Sequence, residues 1–144
     1  MRIIQKYRAA FIFGKALKKF LNGNYKSAIS HFEEVLKLEP MYGHRGYTRY
    51  YLGRAFFALN DTKRAKEEMS AAYNMLRERI LVDKNEKDSS YFETLADEYI
   101  QLLLKLDENA LAKEIKFDRK KVIQGKERGH SKEKRKTSGS GLKY

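Results

Sequence analysis

Asn22-Gly23-Asn24-Tyr25-Lys26-Ser27-Ala28, with Phe32, Val35 and Leu36 after it, is answered 37 residues later by Leu59-Asn60-Asp61-Thr62-Lys63-Arg64-Ala65, with Met69, Ala72 and Tyr73 after it. Each stretch places turn-forming residues ahead of a small residue and then apolar residues at helical spacing, so each reads helix, turn, helix. A fixed offset between equivalent positions is how stacked helical repeats announce themselves. Such folds bind partners along a surface and seldom do chemistry in a pocket.

Working outward, six helices are expected. The first runs from about Ile3 to Leu21 and is stopped by Asn22-Gly23; Asn24 caps the second, which ends before the only proline, Pro40. A third spans about Tyr47 to Leu59. The fourth, capped by Asp61, spans about Thr62 to Leu81 with Ala65, Met69, Ala72 and Leu76 on its inner stripe. Asp83 to Asp88 is polar and reads as a loop, after which Ser90-Tyr91-Phe92-Glu93 has capping-box spacing. The fifth helix then runs to about Leu106 with Phe92, Leu95, Ala96, Tyr99, Leu102 and Leu103 at three, four and one. A weaker sixth covers about Ala110 to Val122. Residues 1–122 therefore form one helical domain. Residues 123–144 are rich in glycine and charge and should be disordered alone, because they cannot bury enough surface to offset their ordering entropy.

Of 31 Lys and Arg residues ten fall in 119–144, against two of 19 Asp and Glu, a net of +8 there; the other 118 residues carry 21 basic and 17 acidic side chains, a net of +4. The basic character belongs to the tail. Absence of cysteine excludes disulfides, thiolate metal sites and cysteine nucleophiles. No apolar run reaches the ~18 residues of a membrane span. The basic start Met1-Arg2-Ile3-Ile4-Gln5-Lys6 leads into an apolar stretch too short for an export signal, and reads as part of the first helix. A cytoplasmic location is the expectation.

Leu52-Gly53-Arg54-Ala55-Phe56-Phe57, with Ala65, Met69 and Ala72 beyond the turn, closely resembles a tetratricopeptide repeat. The physical logic fits, since Gly53 and Ala65 make room for Phe56 and Met69 where the helices cross. Gly23, Tyr25, Ala28, Phe32 and Pro40 match the second half of a first unit, whose first helix uses Ala16 and Phe20 if its turn is one residue shorter. Phe92, Leu95, Ala96 and Tyr99 match the start of a third, in which Ala110 lies two residues late for the small position. The resemblance covers roughly residues 9–120. It implies an all-α, right-handed superhelical stack of antiparallel helix pairs, with a concave groove lined by the first helix of each pair and filled by a peptide or protein ligand. By that resemblance Phe13, Leu17, Tyr47, Tyr50, Arg54, Asp97 and Gln101 would line the groove. The family's clamp for chaperone carboxylates is missing, because Phe13 and Leu17 replace its polar pair in the first unit and the third offers Glu93 and Asp97.

Two segments carry further recognition chemistry. Tyr42 to Arg54 interleaves tyrosine and arginine, which can stack on bases, anchor a protein hot spot or pair with acidic groups, although Tyr47, Tyr50 and Tyr51 also have good core spacing. Arg119, Lys120, Lys121, Lys132, Lys134, Arg135 and Lys136 could grip the phosphates of RNA, DNA or an anionic membrane, or an acidic partner, through counterion release, could dock onto the protein's own fold, or could simply solubilise the terminus.

Catalysis finds little support. His31 and Glu34 share a helix face without a second histidine to complete a metal set, and no phosphate loop, nucleophile elbow or H-E-x-x-H is present. No cofactor or metal is expected. The sequence points to a non-enzymatic adaptor, with a nucleic-acid-associated protein using the tail and segment 42–54 as the alternative, and with self-association through the stack ends as a further possibility.

Overall fold

The structure is a computed structural model that describes residues 2–38, 45–83 and 86–138, with side chains over 3–38, 46–82 and 89–125. Among the described residues there are six helices and no strand: α1 Arg2–Leu21, α2 Tyr25–Leu38, α3 Arg45–Ala58, α4 Thr62–Asp83, α5 Glu86–Lys105 and α6 Asn109–Ser138. Pro40 and Tyr42 to His44 lie outside the described residues, as do the side chains of Lys132, Lys134, Arg135 and Lys136.

Three of the connections are the same turn. Gly23, Asn60 and Asp107 sit in the left-handed region, with φ of 81°, 64° and 59°. In each, the residue after it bonds the carbonyl five residues back (Asn24 to Lys19, Asp61 to Phe56, Glu108 to Leu103, all 2.9 Å). The left-handed residue itself bonds the carbonyl three back, closing a Schellman motif that satisfies the orphan carbonyls of the ending helix. Asn24, Asp61 and Glu108 then start the next helix by accepting from Ala28, Ala65 and Ala112 at 3.0 Å. Asp61 also caps with its side chain, its Oδ1 accepting from the Arg64 amide at 3.2 Å.

This geometry settles the registers. All three alanines are buried and stand five residues after the left-handed position, so the buried small residue that follows the third turn is Ala112, whereas Ala110 is exposed. In the first unit the expected shortened turn is not found. Its turn has the same length and bonds as the second, and Ala16 and Phe20 are buried where the 37-residue offset places Gly53 and Phe57.

Consecutive helices pack on one another, and α4 also touches α6. The main core takes the expected stripes of α2, α4 and α5, while Ala9, Ile12 and Val35 form a smaller cluster between α1 and α2. The tightest crossing is α3 on α4. A Cβ on Gly53 would lie 2.5 Å from Met69 Cγ and 3.2 Å from the Ala65 carbonyl oxygen, so only glycine permits this approach.

Two boundaries differ from expectation. Helix α5 begins at Glu86, which puts Ser90 inside it as the carbonyl acceptor for Thr94 Oγ1 at 3.3 Å, not at its cap. No proline or glycine interrupts 83–95, and Lys and Glu are good helix formers. The backbone of α6 continues helical through 123–138, where the sequence reading ended it near Val122. That segment is rich in Lys, Glu, Arg and Gln and contains no proline, so propensity favours continuation through Gly125 and Gly129.

Helix α6 is fastened by more than apolar burial of Ala112 and Val122. Asp118 receives Arg77 in a bidentate pair, Nε at 2.8 Å and Nη2 at 2.9 Å, and also accepts from the Tyr73 hydroxyl. Burial alone would raise the Asp118 carboxyl, but the Arg77 and Tyr73 donors hold it below the usual carboxylate range.

Candidate functional site

A cavity of about 400 Å³ opens between the C-terminal halves of α1, α3 and α5. Phe20 from α1, Tyr25 from α2, and Phe57 and Ala58 from α3 give it an apolar wall; Met69 closes the back beside Gly53, and Asp97, Glu98, Gln101, Leu102 and Lys105 come from α5. Phe20 and Phe57 stand 37 residues apart at equivalent positions before equivalent turns. Two positions 37 residues apart thus supply two aromatic walls of one cavity.

Cations are held over these rings. The Arg54 guanidinium lies 5.0 Å from the Phe20 ring centroid and 5.5 Å from that of Tyr50, and Lys105 Nζ lies 5.0 Å from that of Phe57. Arg54 Nη1 donates to the Tyr50 hydroxyl at 3.4 Å, and its Nε approaches Glu98 Oε1 at 3.9 Å. Burial first, and then the neighbouring Glu98 carboxylate, push the Tyr50 hydroxyl far above the ordinary phenol range, so it is neutral at physiological pH. Glu98 Oε2 is buried with no hydrogen-bond partner among the described residues. An apolar, cation-edged cavity is suited to seat an apolar side chain.

Of the seven residues expected to line a groove, the structure brings Arg54, Asp97 and Gln101 to this cavity. Phe13 is half-buried, edge-on to Phe32 at 5.7 Å and to Tyr51 at 6.3 Å, and Leu17 packs on the main core. Tyr47 is tilted on Tyr91 at 4.2 Å. Tyr50, expected as an accessible contact, is 3% exposed and belongs to the core. The reason is aromatic crowding: Tyr50 meets Tyr51 and Tyr91 edge-on, and the Tyr51 and Tyr91 hydroxyls bond at 2.9 Å. Within segment 42–54 the described tyrosines are therefore packing residues, and Arg49 is drawn to Glu68 at 2.8 Å.

Arg119, assigned to the basic tail, is engaged within the fold. Its Nε lies 3.0 Å from Asp97 Oδ1, its Nη2 donates to Asp97 Oδ2 at 3.5 Å, and the same Nη2 lies 3.7 Å from Glu93 Oε1. Lys121 sits over the Phe117 ring at 4.8 Å, and Lys120 is exposed. Sequence reading missed Phe20, Tyr25, Phe57, Glu98 and Lys105 as site residues, although the 37-residue offset pairing Phe20 with Phe57 was a usable signal. Among the described residues no group of three or more His, Asp or Glu is placed to hold a metal ion. Comparison with known proteins finds no matching family model, no matching curated protein and no matching solved structure.

Proposed function

We propose that the six helices form a tetratricopeptide-like superhelical stack of three helix pairs, and that the chain is a non-enzymatic adaptor binding a peptide segment in the groove along α1, α3 and α5. The repeat reading is supported by the three identical turns at Gly23, Asn60 and Asp107 and by the close approach of Gly53 to Met69. The observation that carries the binding reading is the 400 Å³ cavity edged by Arg54, Lys105, Asp97 and Glu98. Its size suits one large apolar anchor side chain. Packing of Tyr47, Tyr50 and Tyr51 weighs against base stacking by segment 42–54, since their ring faces are occupied by other aromatics.

A displayed peptide library selected on the intact chain tests this. Selected peptides should carry an aromatic or large aliphatic anchor, and Gln101→Trp, which narrows the cavity from an exposed position, should weaken them at least about ten-fold with unchanged melting. Equal binding to Gln101→Trp would place the ligand elsewhere. Binding only of single-stranded RNA, falling steeply with salt, would favour the nucleic-acid alternative.

A further inference from the structure

Helix α1 carries a second surface that the groove does not use. Ile3, Ile4, Tyr7 and Phe11 are between 68 and 73% exposed, four large apolar side chains presented to solvent by one helix. Successive helical residues turn by about 100°, which gathers these four into an arc of about 100° centred opposite Ala9, Ile12, Ala16 and Phe20, the residues α1 buries. Among the described residues no other helix covers this face: α1 packs on α2 and, slightly, on α3.

What surrounds the stripe identifies its complement. The 20 residues of α1 include six Lys or Arg and no Asp or Glu. On the helical wheel Lys6 flanks the stripe on one side and Arg8 and Lys15 on the other, while Lys18 continues it one turn beyond the exposed Gly14. A second copy is a poor complement, because a two-fold interface would set one all-cationic helix against its twin. Helix α1 is also fixed in the fold by its opposite side, so only a shallow strip is free, which suits a flat surface better than a deep groove. Large apolar side chains, an interfacial tyrosine and flanking cations without any acid are the pattern by which a helix lies in the headgroup region of an anionic bilayer. No described helix is long and apolar enough to cross a membrane, so the contact is interfacial.

We propose that the outer face of α1, through Ile3, Ile4, Tyr7 and Phe11 with its flanking lysines and arginines, docks the protein onto anionic lipid surfaces. The mode is peripheral: the apolar side chains enter the acyl boundary while the cations meet phosphate and carboxylate headgroups. Groove and membrane face lie on roughly opposite sides of α1, because Phe20 points away from the stripe, so both can be occupied at once.

Vesicle co-sedimentation of the full chain decides the matter, with phosphatidylcholine alone compared with phosphatidylcholine holding about 30% phosphatidylserine. Lys134→Glu with Lys136→Glu is placed in every protein so that tail charge does not mask the result. The expected outcome is association with the anionic vesicles, reduced about ten-fold or more by Tyr7→Ser with Phe11→Ser, whose melting should match the parent because both side chains face solvent. Retention by that variant, or no association by the parent, overturns the proposal. So does a dimer in sedimentation equilibrium that Phe11→Ser dissolves, which would assign the face to a second copy. Stripe-dependent capture of polyglutamate without vesicle binding would assign it to an acidic protein.

Discussion

Replacing Gly53 by alanine sets two effects of known sign against each other. In the interior of α3 alanine gains about 1 kcal/mol over glycine in helix propensity. Against this, the new Cβ would sit 2.5 Å from Met69 Cγ, 3.0 Å from its Sδ and 3.2 Å from the Ala65 carbonyl oxygen. Unstrained carbon pairs keep about 3.5–4.0 Å, so either Met69 leaves its position or α3 and α4 separate, and overpacking of this kind costs about 1–3 kcal/mol. Gly14 in α1 supplies the control, because nothing lies within 4 Å of a Cβ placed there. Gly14→Ala therefore shows the propensity gain alone, and the difference between the two variants isolates the packing cost. Urea and thermal unfolding followed by helical circular dichroism should place Gly53→Ala about 1–3 kcal/mol below Gly14→Ala, at about 4 °C per kcal/mol in midpoint. Met69 also lines the cavity, so its displacement should weaken groove ligands as well. In Gly53→Ala with Met69→Ala the losses should be less than additive, because the truncated side chain vacates the clash. A Gly53→Ala protein as stable as Gly14→Ala would refute the close approach of α3 to α4.

Asp118→Asn should loosen α6 from α4 and cost about 1 kcal/mol, a figure discounted for the partial exposure of the Arg77 pair. Because the folded Asp118 carboxyl is held below its usual range, its contribution is present above the unfolded value of about 3.9 and fades as pH falls through the folded one. Unfolding curves of parent and variant should therefore converge in acid. Tyr50, Tyr73 and Tyr91 are all raised, first by burial and then by the Glu98 carboxylate beside Tyr50 and the hydrogen bonds of Tyr73 to Asp118 and of Tyr91 to Tyr51. Ultraviolet titration should show them silent near pH 10, the unfolded value of about 10 marking where stability begins to fall as pH rises. Asn60 and Asp107 hold left-handed backbones that glycine adopts without a Cβ penalty, so Asn60→Gly and Asp107→Gly should each raise stability by up to about 1 kcal/mol.

Much of this was legible locally. The stripes of α2, α4 and α5 followed from apolar spacing, because a helix that buries one face must repeat it every three or four residues. Asn22-Gly23 and Asn60-Asp61 marked their turns, since few residues tolerate the left-handed position that ends a helix. Asp107-Glu108-Asn109 marks the third turn in the same way, but the small residue after it was not identified, Ala110 fitting two residues late, because α4 and α5 are longer than α2 and α3 and the offset between turns grows from 37 to 47 residues. The start of α5 was misplaced because a polar run without proline or glycine is compatible with either loop or helix.

What the sequence alone determined was the class of object: helices of known faces, three turns, one repeat offset and a basic C-terminal segment. These are properties of neighbours in the chain. What only the tertiary structure decided was which side chains remain available. Tyr47, Tyr50 and Tyr51 share one helix with nearly equal chemistry, and it is Tyr91 of α5, with Phe13 and Phe20 of α1, that packs them inward. Asp97 and Arg119 were read as belonging to two different partners, yet across 22 residues of chain they pair with each other. Burial and ion pairing are set by distances between elements, and those distances exist only once the helices have packed.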